Sequence, residues 1–276
     1  MDDPKKPEFE SWGSYQEFAR RVRHGRRFVQ DNHVQAFLET VLATLKRRDM
    51  KISEGTILCR AQEGVNYDPV VDENGNEIGE EPCGFGAARM KPLINRAIEG
   101  RVNPAGIPVL YLASGEQTAI SEVRPWIGSE VSVAQFRILR DLKTINLSLG
   151  HGEVSIGQLA ISQLLGDEPL DAEKKERAVW IDIDNAFSRP TTRSDDTAEY
   201  VPTQILTELF RSVGYDAIVY RSQFGEKGYN VALFNVEDAD AINCAPYRVM
   251  GIDVKYDEIG NRWFSTKHQK PNKKQS

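Results

Sequence analysis

The residues of this chain whose types and spacing suit chemistry gather around one short turn, Gly100-Arg101-Val102-Asn103-Pro104-Ala105-Gly106. The turn leads into Pro108-Val109-Leu110-Tyr111-Leu112-Ala113, an apolar run that reads as a strand. A helical stretch carrying Glu122 follows and stops before Pro125. Arg101, Tyr111 and Glu122 therefore fall on three successive elements that fold back on one another. A planar guanidinium offers paired donors to a pyrophosphate and keeps its charge. A tyrosine ring stacks on a flat heterocycle, and its hydroxyl can orient a ribose. A carboxylate beside a ribose bonds the 2′-hydroxyl and stabilises a developing oxocarbenium ion, as in glycoside cleavage. Together these groups suit breaking an N-glycosidic bond in a nucleotide. The same residues also fit structural roles. Glu122 can pair with Arg124 or Lys143, Arg101 can bond carbonyls of its own turn, and Tyr111 can be a strand tyrosine with a satisfied hydroxyl. Residue types alone leave both readings open.

Other chemistries are excluded more firmly. His24, His33, His151 and His268 are scattered, and Cys59, Cys83 and Cys244 stand far apart, so neither a metal cluster nor a disulfide framework is signalled. The G-x-G of Gly84-Phe85-Gly86 follows a polar stretch instead of a strand, and neither a phosphate-loop lysine motif nor H-E-x-x-H occurs. An enzyme built from this chain works with carboxylates, hydroxyls and arginines, with no bound metal or cofactor. Among 276 residues, 35 Lys and Arg stand against 41 Asp and Glu, a net charge of -6 that disfavours nucleic acid as a partner. No apolar run approaches the roughly 20 residues that span a bilayer. The N-terminal MDDPKKPEFES lacks the apolar core of a signal peptide, so the expected setting is cytoplasmic.

The elements that must position these residues are readable in part. Tyr15, Phe18 and Val22, then Val34, Phe37, Leu38, Val41, Leu42 and Leu45, recur at helical spacing and predict two helices separated near Gly25. The basic run of Arg20, Arg21, Arg23, Arg26 and Arg27 reads as a solvated helix face. Residues 57–61 predict a first strand, and 66–86, acidic and glycine-rich with an Asn74-Gly75 turn, a long loop or β-excursion. Ser114, three residues before Gln117, predicts a capping box opening the Glu122 helix. Strands are expected at 131–139, 142–147, 216–220 and 230–234, and helices at 155–165 and 199–213. The stretch between those two helices, strongly charged over 167–177, reads as surface, and the basic tail beyond Phe264 as disordered. The division expected is a helical region over 1–50, a catalytic domain over 52–264 and a tail over 265–276. The class expected is α+β.

Beyond these local readings, GRVNPAGIPVLYLASGEQTAISEVRP resembles the central block of the RES-domain family, named for its arginine, glutamate and serine. YVPTQILTELFRSVGYDAIVYRSQFGEKGYNVALF is similar to the family's closing block, and ILCRAQ to its opening strand. The three blocks stand in the family's order across roughly residues 55–236. The resemblance implies a bacterial toxin of a toxin–antitoxin pair that destroys NAD by phosphorolysis or hydrolysis. The fold implied is similar to ADP-ribosyltransferases, with a small, split, mostly antiparallel sheet. It implies Arg101, Tyr111, Glu122 and Ser222 as catalytic residues, and Arg60, Arg101, Asn103 and Tyr111 as the residues that bind NAD as substrate. Phosphate as acceptor and an antitoxin protein blocking the cleft are the partners implied; Gln204 and Asn230 match family positions that either hold backbone or touch ligand. Two departures mark a longer branch of the family. Val102 stands where compact members carry an aromatic residue, and the N-terminal helices and the 66–99 excursion are additions. ADP-ribosyl transfer to a protein or nucleotide, or an inactive binding module, are the alternatives. Ile120 occupies the place of the second acid that many transferases of this fold need.

Overall fold

The computed structural model describes residues 7–94, 96–149, 171–189, 197–224, 228–254, 256, 258–260 and 263. Two helices open the described chain, α1 (Ser14–His24) and α2 (Asn32–Thr44). α1 buries Tyr15, Phe18, Ala19 and Val22, the single stripe its spacing allows, and stops at Gly25. Asp31 caps α2, its carboxylate accepting from the Val34 amide at 2.9 Å. Phe18 stacks on Phe37 with ring centroids 4.5 Å apart and joins the two helices.

The strands are β1 (Asp49–Ile52), β2 (Ile57–Glu63), β3 (Asn66–Val71), β4 (Glu77–Cys83), β5 (Leu110–Ala113), β6 (Glu130–Ile138), β7 (Leu142–Asn146), β8 (Ala217–Arg221), β9 (Tyr229–Leu233) and β10 (Ala239–Arg248). The remaining described helices are α3 (Ala87–Met90), α4 (Glu116–Glu122), α5 (Ala172–Ser188) and α6 (Val201–Ser212), with a 3-10 turn at Thr197–Tyr200. Eight strands form one sheet in the order β1-β7-β8-β9-β5-β2-β6-β10, while β3 and β4 form a separate hairpin. Among the described strands of the sheet, only β7 and β8 pair in parallel. The class is the expected α+β, with a mostly antiparallel sheet and N-terminal helices.

The split in the sheet lies between β5 and β2, which meet through one pair, Cys59↔Ala113. β2 otherwise pairs with β6, and β5 with β9. Two sub-sheets therefore part from this contact, and α4 packs across the opening on β2, β5 and β6. The inner strands are buried on both faces. Ile218 and Tyr220 of β8 enter one apolar layer, while Ala217 and Val219 enter the other. The first layer also holds Phe9, Phe18, Phe37, Val41, Leu45, Trp180, Phe187 and Phe210. The N-terminal helices thus share a core with the sheet and do not close one of their own, and β1 is itself an edge of that sheet.

The structure corrects several expectations. α5 spans Ala172–Ser188, where the sequence reading placed only charged surface. Its first turns are charged, but Val179, Ile183 and Phe187 recur at four-residue spacing and are buried, and Asp171 caps it by accepting from the Lys174 amide. Ser114 forms no capping box. Its amide donates to the Tyr229 carbonyl and its hydroxyl accepts from the Tyr229 amide at 3.1 Å, so it extends the β5–β9 pairing and leaves Gly115 at the helix start without a side-chain cap. β1 and β10 escaped the sequence reading, the one being short and the other a polar edge strand containing Pro246. The 66–86 excursion is the β3–β4 hairpin, turning where Gly75 takes a φ of 82°. The helix expected over 155–165 and the tail over 265–276 lie outside the described residues.

Candidate active site

A cavity of about 480 Å³ opens at the split, walled by Arg60 on β2, Tyr111 on β5, Glu122 on α4, Arg101, Tyr220 and Asn230. Glu122 faces it because it lies on the same side of α4 as the buried Thr118 and Ala119, four and three residues earlier. Gly228 lets α4 come this close, since a Cβ there would collide with the Thr118 side chain. One carboxylate oxygen of Glu122, Oε1, accepts two hydrogen bonds, from Ser222 Oγ at 2.7 Å and from Asn230 Nδ2 at 2.6 Å. The Ser222 hydroxyl itself accepts from the Phe224 amide at 3.1 Å, which sets its direction. Ser222 is 2% exposed and stands behind the carboxylate, off the cavity wall. Past the helix end the backbone turns sharply, with Arg124 in the left-handed region at a φ of 49°. Its guanidinium lies 5.2 Å from the Phe224 ring centroid at the rim.

Arg101 is held differently. Its Nη1 donates to the carbonyls of Ala186 at 3.2 Å and Phe187 at 2.9 Å. These carbonyls end α5, where a helix has no internal partners for them and where its dipole favours a cation. Arg101 is thus a C-terminal cap that also lines the cavity. Gln204 on α6 fixes the turn beneath it, donating to the Gly100 carbonyl at 2.9 Å and the Asn103 carbonyl at 3.1 Å. Burial lowers the pKa of Arg101, and of Arg60 likewise. Arg60 donates from Nη1 to the Tyr111 carbonyl at 3.2 Å, and its buried Nε has no hydrogen-bond partner among the described residues. Two guanidinium groups, Arg60 and Arg101, on one cavity wall suit an anionic ligand.

Two expectations for this region change. Asn103 does not line the cavity. It is 2% exposed, its amide donates to the carbonyls of Ile98 and Pro104, and its Oδ1 accepts from the Tyr111 hydroxyl at 2.7 Å. The Tyr111 hydroxyl also accepts from the Val102 amide at 3.2 Å, so it points back into the turn and only the ring faces the cavity. Gly100 makes this possible, because a Cβ there would sit 2.8 Å from the Tyr111 oxygen. Burial pushes the phenols of Tyr111 and Tyr220 well above their ordinary range, so both are neutral.

The structure therefore brings Arg60, Arg101, Tyr111 and Glu122 to one cavity, with Ser222 behind Glu122 and Asn103 behind Tyr111. Sequence reasoning missed Phe187, Ser188, Arg189, Tyr200, Tyr220 and Phe224 on its walls. Tyr220 was within reach, since strand alternation puts it on the same face as Ser222 two residues on. Phe187, Ser188 and Arg189 were lost with α5. Lys143, one candidate partner for Glu122, lies instead over the Tyr215 ring at 4.1 Å. No group of His, Cys, Asp and Glu among the described residues is placed to hold a metal ion, and no described helix is long and apolar enough to cross a membrane.

A split α+β sheet with a carboxylate and arginines at its opening describes a class of site, and comparison with known proteins supplies the family. The RES domain model matches residues 83–257, well over half of the chain. The chain belongs to the RES-domain family, an NAD-related toxin family. The match begins after β2, so Arg60 lies upstream of it, and it includes Arg101, Tyr111, Glu122 and Ser222. A search of curated proteins finds no match to the chain. Among solved structures, the M. tuberculosis MbcT–MbcA toxin–antitoxin complex contains a chain similar to this one, at 13% identity over 74% of this chain and 90% of that one, with a TM-score of 0.34.

Proposed function

We propose that this protein cleaves the nicotinamide–ribose bond of NAD and passes the ADP-ribosyl group to a small acceptor, water or phosphate, acting as a growth-arresting toxin. The observation that carries the reading is the Glu122 carboxylate, with Oε1 fixed by Ser222 and Asn230 on the wall of an arginine-lined cavity. The cavity volume falls within the range of roughly 300–1,000 Å³ typical of small-molecule sites.

In NAD the nicotinamide is already a cationic leaving group. When the C1′–N bond breaks, its electron pair returns to the ring nitrogen and neutralises it, so little general-acid help is needed there. The costly part is the positive charge left on the ribose. Glu122 stabilises that charge more in the transition state than in the ground state, which is the condition for raising the rate. An oxygen of water or phosphate then bonds C1′, with loss of a proton from water or from hydrogen phosphate. Arg101 and Arg60 hold the pyrophosphate and so place the ribose, while the Tyr111 ring offers a flat apolar wall. Ile120 packs against the cluster of Cys59, Ala61 and Val133, and no second acid stands two residues before Glu122, which favours a small acceptor over a protein side chain. An antitoxin protein seated over the cleft would neutralise this activity.

The test is incubation of the pure protein with NAD, with and without phosphate, resolving nicotinamide, ADP-ribose and its 1″-phosphate by chromatography. Nicotinamide release with ADP-ribose or its phosphate as co-product is expected. Intact NAD after prolonged incubation, with an accessible cavity, would overturn the reading.

A further inference from the structure

We infer that helix α1 is a positioning element of this site: Gln16 and Arg23 set where Arg101 and Tyr200 stand, and through them the affinity for NAD. The inference rests on the NAD reading above and adds to it a part of the chain with no place in the chemistry.

The path runs through α5. Arg101 is anchored on the carbonyls of Ala186 and Phe187, so its position is the position of the end of α5. One turn before Ala186, Asp182 is 4% exposed, and its Oδ2 accepts from Gln16 Nε2 on α1 at 2.7 Å. Two turns further along α1, Arg23 Nη2 meets Glu199 Oε2 at 2.8 Å. Glu199 belongs to the 3-10 turn whose last residue, Tyr200, lines the cavity. α1 is therefore pinned at two points, each within one turn of a residue that holds or forms the cavity wall. These ties are directional in a way that apolar packing is not, so the first fixes α5 and the second the 3-10 turn against α1. Between them lie the buried Tyr15 hydroxyl and Arg23 Nε, neither with a hydrogen-bond partner among the described residues. Burial raises the pKa of the Tyr15 phenol, and the charges of Arg23, Asp182, Glu199 and Arg101 all act on it. Glu122 stands outside this path, because its two partners sit at the ends of β8 and β9. Loosening α1 should move Arg101 and leave the carboxylate in place.

The experiment is steady-state NAD cleavage by the 276-residue chain carrying Gln16→Ala, Arg23→Ala or both, beside Arg20→Ala, an exposed residue of the same helix that pairs with Glu17. The double variant should raise KM for NAD by about tenfold, the loss expected when a charged hydrogen-bonding group is displaced, with kcat within about twofold. Arg23→Lys should recover most of the wild-type KM, and Arg20→Ala should match wild type. Simple loss of folded protein would instead lower apparent kcat at constant KM. A flat KM in the double variant, or a fall in kcat alone, overturns the inference. Should the double variant fail to fold by circular dichroism, Gln16→Glu sets a second carboxylate against Asp182. That variant should raise KM, and Asp182→Asn added to it should restore KM; no change in KM overturns the inference. A wild type that releases no nicotinamide overturns the NAD reading and this inference together, whereas wild-type turnover with a flat KM overturns only the latter.

Discussion

Glu122 and Arg101 face the same cavity and are held there by opposite means. The carboxylate is gripped by side chains, Ser222 and Asn230, projecting from the ends of two strands buried on both faces. The guanidinium is gripped by main-chain carbonyls at the end of a helix, on a turn fixed by Asn103, Tyr111 and Gln204. The difference follows from what each group must do. A carboxylate has two oxygens; both anchors act on Oε1, and the proposed reaction would use the other. A guanidinium has N–H donors to spare and can give some to the protein while keeping others for an anion. On the proposed reading, side chains at the strand ends brace the reacting group carried by α4, and the end of α5 braces the binding group carried by the turn.

The largest test of that division is Glu122→Gln. The amide keeps the shape and the contacts of Oε1 but not the charge, so NAD binding by calorimetry should stay near wild type. Nicotinamide release should fall by on the order of 10²-fold or more, the scale for removing one preorganised electrostatic group. Turnover near the wild-type rate would remove Glu122 from the mechanism. Next is Arg101→Ala, which strips donors from the ligand and the cap from α5. KM should rise by about 10- to 100-fold, with a smaller change in kcat; a selective loss of kcat would mean that the guanidinium acts in the chemistry.

Ser222→Ala and Asn230→Ala probe the grip on Glu122 one anchor at a time. Each should lower kcat by about tenfold with KM little changed, and the double variant should lose less than the product, because both anchors act on one oxygen. Additive losses would show that one of them touches the substrate. The smallest effect belongs to the helical side. Burial raises the Asp182 carboxyl to about 6 from 3.8, with the Gln16 hydrogen bond and Arg189 opposing it. The folded protein therefore holds this proton more tightly than the unfolded chain does, and Asp182 subtracts stability as pH rises from about 4 through 6. Asp182→Asn keeps an acceptor for Gln16, so thermal melts near neutral pH should show a gain of about 1 kcal/mol, and stability should change less between those pH values. An unchanged pH profile would mean that the carboxylate is not desolvated.

What was legible in the sequence was whatever a short window decides. Strand alternation and helical spacing located β2, β5 to β9, α1, α2 and α6, and the order of Arg101, Tyr111 and Glu122 placed three cavity residues on successive elements. Two failures were also local. α5 hid behind its charged first turns, although Val179, Ile183 and Phe187 carried its signal. At Ser114 a capping pattern competed with strand pairing, and pairing won because Tyr229 offers the serine both a donor and an acceptor. The rest had no local signal at all. Ser222 and Asn230 reach Glu122 across 100 and 108 residues of chain, and Arg101 finds the end of α5 across 85. Asn103 and the Tyr111 hydroxyl turn to each other and away from the cavity, because two buried polar groups within reach satisfy one another before any ligand arrives. The sequence by itself determined which groups the protein has for its chemistry and on which elements they ride. Which of them meet the ligand, and which stand behind to hold those that do, was decided only by packing, because a hydrogen-bond partner is chosen by distance in space and not by spacing along the chain.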